Sequence, residues 1–489
     1  MDITQHVFDA AELSHLLPEL VLAAAAFGLL MFDLFFDSKQ KGITHWLAMA
    51  VLIVVGAMAI SGVGGQPAHG GAVLNGMFVR DGLADLAKGV ICFVAAAGFV
   101  YALPYLKERG IYKGEVPVLM LFATLGMMVL ASSNNLVMVY VGLEMLALCS
   151  YALVAVDRDS PLATEAGMKY FVLGALASGM LLYGMSLVYG AAGTLDLPAI
   201  HVVAASGENA QLLLAGMVFI VAGLAFKLGA APFHMWLPDV YQGAPTPITQ
   251  FIGAAPKLAA FVMTYRLLES GLGPVDDKWR VLIGGLAALS LIVGNLMALM
   301  QTNLKRMLAY STISHVGFLL MGLAGGGQAG YGAALFYAVI YTFTTVAAFG
   351  AIVLLSRKGF EAEEISDYKG LAKRNPWMAL LILCIMASLA GVPPFIGFFA
   401  KVDVITAAVQ GDMLWLAIIG IVFAVIGAFY YLRVIKAMYF DAADDSIQIA
   451  PRADRAMSTL FAVNALLLLG LAFSLNPILA WCHAVFAVA

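Results

Sequence analysis

Charge is what this 489-residue sequence lacks: only 11% of it is Asp, Glu, Lys or Arg, against 62% hydrophobic types. Soluble domains average about 25% charged residues, so a water-facing globule of this length is excluded. The formal net charge of −4 argues against a nucleic-acid partner. Cysteine is scarce as well. Cys92, Cys149, Cys384 and Cys482 lie far apart in apolar runs with no CxxC pair, which leaves no sequence-local iron–sulfur or zinc site and no disulfide framework. A cleavable signal peptide is not expected, because Asp2, Asp9, Glu12 and Glu19 stand where lysine or arginine would be. Long polar linkers are missing too, so no soluble catalytic domain is hidden in a loop.

What remains is apolar chain. A bilayer-crossing helix takes about 20 apolar residues, and apolar windows predict fourteen spans. They lie near 16–36, 44–64, 78–99, 116–131, 134–156, 164–190, 211–231, 243–268, 280–300, 304–323, 331–355, 376–409, 413–440 and 457–479. The fold class is therefore all-α: a polytopic membrane protein with about 14 transmembrane helices. Lysine and arginine set its orientation. Seventeen of them, from Lys39 and Lys41 to Arg452 and Arg455, fall in odd-numbered loops, against Arg80, Arg266, Lys278 and Arg280 in even ones. The positive-inside rule makes the odd loops cytoplasmic and puts both termini outside.

The sequence also repeats itself. GAAPF from Gly229 and GVPPF from Gly391 fall in spans 7 and 12, each interrupted by proline (Pro232 and Pro238; Pro393 and Pro394). An offset of five spans reverses direction across the membrane, so spans 4–8 and 9–13 would be two inverted five-helix repeats, a transporter design. Proline removes a backbone N–H and frees carbonyls that need other partners. Two kinked helices without a transport role would give the same pattern. The expected division is 1–110, a three-helix segment; 111–270, the first repeat; 271–440, the second; and 441–489, the last helix.

Five lysines stay inside predicted spans: Lys88, Lys169, Lys227, Lys257 and Lys401. A charge at a helix centre costs about 2.5–3.5 kcal/mol, yet Glu144, Lys227, Lys257 and Lys401 all sit deep. Any one could be half of a structural ion pair; four at similar depth point to proton chemistry. A lysine of ordinary pKa, about 10.4, holds its proton at neutral pH. Burial disfavours the charged form and a nearby carboxylate restores it, so a Glu–Lys pair that opens and closes is a protonation switch. Glu144 and Lys227 are the expected pair, with Lys257 and Lys401 continuing the relay.

Lys169, near the cytoplasmic end of span 6, is an anchor or a modulator of Glu144. His234 follows Lys227 by seven residues and could continue the path. Lys305 reads as an anchor and His315 as a core histidine. Asp81, Asp85 and Lys88, at i, i+4 and i+7, could pair on one helix face. Glycines 325, 327 and 330 make a nominal GxGxxG with no strand before it, which argues against a nucleotide site.

The runs FKLGAAPFHMWLPDVYQGAPTPITQFIGAAPKLAAF (226–261), LEMLALCSYALVA (143–155) and GVPPFIGFFAK (391–401) resemble the proton-translocating antiporter-like subunits of respiratory complex I, nearly end to end. Lysine at 257 where sister branches carry histidine, lysine at 401 where one carries glutamate, and an end soon after span 14 without a long lateral helix favour one branch of that family. The resemblance implies that Glu144, Lys227, Lys257 and Lys401 form the proton relay, with Lys169 modulating and His234 connecting. It implies no cofactor or metal in this chain, and NADH, FMN, iron–sulfur clusters and quinone in partner subunits. It further implies other membrane-arm subunits and lipids as partners, no nucleic acid, and a place in the bacterial cytoplasmic (inner) membrane. A repeat alignment puts Thr312 opposite Glu144, so the halves are not chemically equivalent. Alternatives are a multisubunit Na+/H+ antiporter subunit and a structural membrane anchor.

Overall fold

The computed structural model describes residues 10–35, 42–62, 71–443 and 454–487. Lys39, Lys41 and Arg452, counted above, and Asp2 and Asp9 lie outside the described residues. The chain runs through helices α1 (Leu17–Asp33), α2 (Gly42–Gly62), α3 (Gly82–Arg109), α4 (Glu115–Ser132), α5 (Leu136–Val154) and α6 (Pro161–Ala192). It continues through α7 (Ala210–Leu228), α8 (Trp236–Gly243), α9 (Thr246–Gly253), α10 (Ala255–Tyr265), α11 (Asp276–Leu299) and α12 (Leu304–Gly325). The last are α13 (Gly327–Leu355), α14 (Pro376–Ala390), α15 (Ile396–Gln410), α16 (Leu414–Tyr439), α17 (Arg455–Phe473) and α18 (Leu475–Ala484). A small antiparallel hairpin, β1 (Gly71–Val73) and β2 (Phe78–Arg80), precedes α3.

Among the described residues, 12 segments are long and apolar enough to cross a membrane. The first predicted span is the shorter α1, and the twelfth is split into α14 and α15. Helices apolar all round belong in the interior, and α12 and α13 form it, with 100% and 94% of their apolar windows buried, against 33% for α16 and 28% for α17.

The two halves share a local device 168 residues apart. Asn135 caps α5 by accepting from the Val137 N–H, and its Nδ2 donates to Asp196 at 2.6 Å. Asn303 caps α12 by accepting from the Arg306 N–H, and its Nδ2 donates to Glu364 at 3.2 Å. Such caps satisfy N–H groups that the first turn leaves free. Gly126 and Gly294, also 168 apart, sit where a Cβ would come within 2.7 Å of the Leu146 nitrogen and 2.5 Å of the Ser314 nitrogen. The first clasp joins even-numbered loops and the second joins odd-numbered ones. Arg266–Asp81 and Arg109–Glu361 keep the same parity, so the two loop sets lie at opposite ends of the bundle.

Three expectations need correction. Pro238 does not break span 7: it lies in the first turn of α8, where no N–H bond is lost. Span 8 is interrupted instead, at Ala254 (φ −100°, ψ −87°), because Pro256 has no N–H to donate back across the turn. Asp81, Asp85 and Lys88 do not pair with one another. Asp81 is the N-cap of α3 and meets Arg266 at 2.7 Å; Asp85 meets Arg80 at 3.1 Å; Lys88 meets Glu19 at 2.7 Å. The helix starts later than its apolar window, so these charges face three different neighbours.

Candidate functional site

Both repeated motifs end a helix on a glycine in the left-handed region, Gly229 and Gly391, each with φ +80°. The final carbonyls of α7 and α14 thus lose their helical donors and carry the negative end of the helix dipole. A lysine fills each place. Lys257, on α10 and 2% exposed, donates from Nζ to the Leu228 carbonyl at 2.7 Å, with its ammonium 5.2 Å from the Trp236 ring centre. Lys401, on α15 and 7% exposed, donates to the Leu389 and Ala390 carbonyls at 2.9 Å each and lies 5.3 Å from the Phe318 ring centre. A Cβ at Gly391 would lie 2.9 Å from Lys401 Cδ, so the turn admits the lysine only because glycine is there.

Lys227 occupies the last turn of α7, next to the carbonyl that binds Lys257, and is half-buried. Glu144 is half-buried on α5, with Oε1 shielded from solvent and without a hydrogen-bond partner among the described residues. No ion pair within 4.0 Å joins Glu144 and Lys227. Lys169 is not beside Glu144; it pairs with Glu165 and with Asp239 of α8, both at 2.8 Å. Arg306 reaches the other Asp239 oxygen at 2.9 Å. Asp239 therefore ties Lys169 to both repeats, a role that sequence reading did not give it. His234 lies half-buried in the turn between α7 and α8. Lys305 is buried and donates to the Ala244 carbonyl at 2.9 Å.

Among α8, α9, α12, α13 and α16 lies a buried set of hydroxyl, amide and imidazole groups that sequence reading missed. Tyr341 Oη donates to Thr312 Oγ1 at 2.7 Å. His315 bonds Tyr337 Oη through Nδ1 at 2.6 Å and Tyr431 Oη through Nε2 at 3.0 Å, and Tyr431 also bonds Ser311. Tyr241 Oη, Gln250 Oε1 and Thr345 Oγ1 are buried without a partner among the described residues. They are neighbours: a Cβ at Gly253 would lie 3.0 Å from Tyr241 Oη and 3.4 Å from Thr345 Cγ2, and Gln250 donates to the Val346 carbonyl. Buried polar atoms in such a cluster are ordinarily satisfied by internal water. A cavity of about 20 Å³, room for one water, lies between His315, Tyr337, Tyr341, Ser388 and the Leu389 end of α14. The available signal was the polar stripe Tyr337, Tyr341 and Thr345 at i, i+4 and i+8 of an otherwise apolar helix. Hydroxyl, imidazole and amine groups each donate and accept, so in series they can hand protons along.

The family pattern described as NADH:quinone oxidoreductase/Mrp antiporter, TM, matches residues 133–427. A protein of Xanthomonas euvesicatoria pv. vesicatoria named NADH-quinone oxidoreductase subunit N is 62% identical, over 98% of this chain and 97% of its own. A chain of respiratory complex I from Thermus thermophilus superposes with a TM-score of 0.79 at 29% identity, covering 94% of this chain and 98% of that one. A chain of the Mrp complex from a Dietzia species reaches a TM-score of 0.84 at 21% identity, covering 96% and 97%, a likeness of fold alone.

Proposed function

The chain belongs to the NADH:quinone oxidoreductase/Mrp antiporter family, and from that premise we propose that Glu144, Lys227, Lys257 and Lys401 are its proton relay. It is a membrane-arm subunit of a proton-translocating NADH-quinone oxidoreductase, and its partners are other membrane-arm subunits. The observation that carries the relay is the pair of lysines held at the broken ends of α7 and α14, with a buried hydroxyl and imidazole network in the same bundle. Closing Glu144 onto Lys227 keeps a proton on Nζ; opening releases it. The proton moves toward Lys257, whose partner carbonyl belongs to the residue after Lys227, then by way of Thr312, Tyr341 and His315 to Lys401. Lys169 modulates through Asp239, and His234 connects at the first break.

We further propose that the odd loops face the cytoplasm of a bacterium with both termini outside, and that the chain makes fourteen spans, with repeats at 111–270 and 271–440 flanked by 1–110 and 441–489. Redox groups and quinone belong to partner subunits. An antiporter subunit would share the fold; the 62% identity to a relative named for NADH-quinone oxidoreductase favours the redox complex. Lys227→Ala or Glu144→Ala in the assembled enzyme is expected to abolish quinone-coupled proton pumping at normal complex content. Undiminished pumping in either variant overturns the relay. Lost assembly with pumping intact in the residual complex marks a structural anchor.

A further inference from the structure

A second, larger cavity, about 400 Å³, is lined by Asp403, Thr406 and Gln410 of α15, Ala329 of α13, and Asn476 and His483 of α18. His483 Nε2 faces Asp403 Oδ2 at 3.3 Å, with side chains 25% and 22% exposed. The His483 ring packs against Gly332 of α13, where a Cβ would come within 2.5 Å of Nδ1.

This cavity is stacked on the small one beside His315. Both are bounded by α13 and α15: the inner by Tyr337, Tyr341, Gly397 and Ala400, the outer by Ala329, Asp403 and Ala407. Ala400 and Asp403 are three residues apart, about 4.5 Å of helix rise. The inner cavity touches Leu389, whose carbonyl holds Lys401. The outer one lies at the even-loop end of the bundle, beside the Gln410 end of α15 and the start of α13. Lys401 donates to the Leu389 carbonyl beside the inner cavity, and Asp403 of the outer cavity lies two residues further along α15.

We propose that Asp403 and His483 are the pair that releases the relayed proton from this chain, through the cavity between α13, α15 and α18. This rests on Lys401 being the last lysine of the relay. Lys401 Nζ loses a proton to water of the inner cavity, the Asp403 carboxylate accepts it, His483 Nε2 shares it, and water of the outer cavity takes it away. No other bond changes.

The test uses the assembled complex in sealed vesicles, following proton pumping and quinone reduction together at measured complex content. Asp403→Asn should slow both by about 10-fold, the lower range of what one positioned proton-transfer group contributes. Asp403→Glu should restore them, which a structural role of the side chain does not predict. His483→Gln should slow both, and carries the test alone if Asp403→Asn fails to assemble. Wild-type pumping in both Asp403→Asn and His483→Gln, while Lys401→Ala pumps nothing, overturns the outlet and leaves the relay standing. Full pumping in Lys401→Ala overturns the relay itself.

Discussion

The two broken helices solve one problem with different parts. At the first break, the cation on the freed carbonyl, Lys257, comes from a separate span and makes one bond, while Lys227, one residue before that carbonyl, has no ion-pair partner within 4.0 Å among the described residues. At the second, Lys401 comes from the continuation of the same span and binds two carbonyls. The polar group facing each break differs as well. Glu144 is a half-buried carboxylate with one unpaired oxygen, whereas Thr312, its counterpart, is buried and hydrogen-bonded to Tyr341. The first half thus sets a carboxylate and two lysines near its break. The second sets a buried hydroxyl in the carboxylate's place and one lysine held by two carbonyls. A common fold supplies the broken helix; the choice of side chains decides which polar groups surround it.

The most severe way to break this comparison is to give the second half the charge of the first. Thr312→Glu should destabilise the protein by about 3 kcal/mol or more, the cost of burying a carboxylate with no cation beside it. Glu144→Thr should change thermal melting of the detergent-solubilised complex far less. Equal melting shifts would show that the two sites are the same environment. An intermediate effect separates the two lysines. Lys401→Met leaves two buried carbonyls unmatched and Lys257→Met leaves one, at about 1–3 kcal/mol for each unsatisfied group. The first substitution should lower the melting temperature about twice as far as the second; the reverse order would mean that the bonds seen here are not what holds the breaks. The smallest effect concerns what the halves share. Asn135→Ala and Asn303→Ala should each cost about 1 kcal/mol, the usual value of a helix N-cap. A cost at only one of them would show that the clasp is an accident of one half.

Much of this was legible in the sequence. Glu144, Lys227, Lys257 and Lys401 stood out because charge inside an apolar run is expensive, and GAAPF and GVPPF marked both breaks. That no ion pair joins Glu144 to Lys227 was not legible, because distance between side chains on α5 and α7 is a matter of packing. The partners of Lys169 were not legible for the same reason: its position on α6 left an anchor or a modulator open, and the carboxylates it reaches are Glu165 and Asp239. The hydroxyl network left little trace, since tyrosine and threonine are ordinary in membrane helices and only the stripe on α13 set them apart.

The sequence by itself determined that this chain is a bundle of membrane helices, where its expensive charges lie and that the helices ending in GAAPF and GVPPF break, because hydropathy and proline act locally along the chain. Only the tertiary structure decided which carbonyl each lysine holds, that no ion pair joins Glu144 to Lys227, and that two cavities are both bounded by α13 and α15. Those facts depend on how helices distant in sequence are set against one another, and their bonds act over a few ångströms between residues tens to hundreds of positions apart.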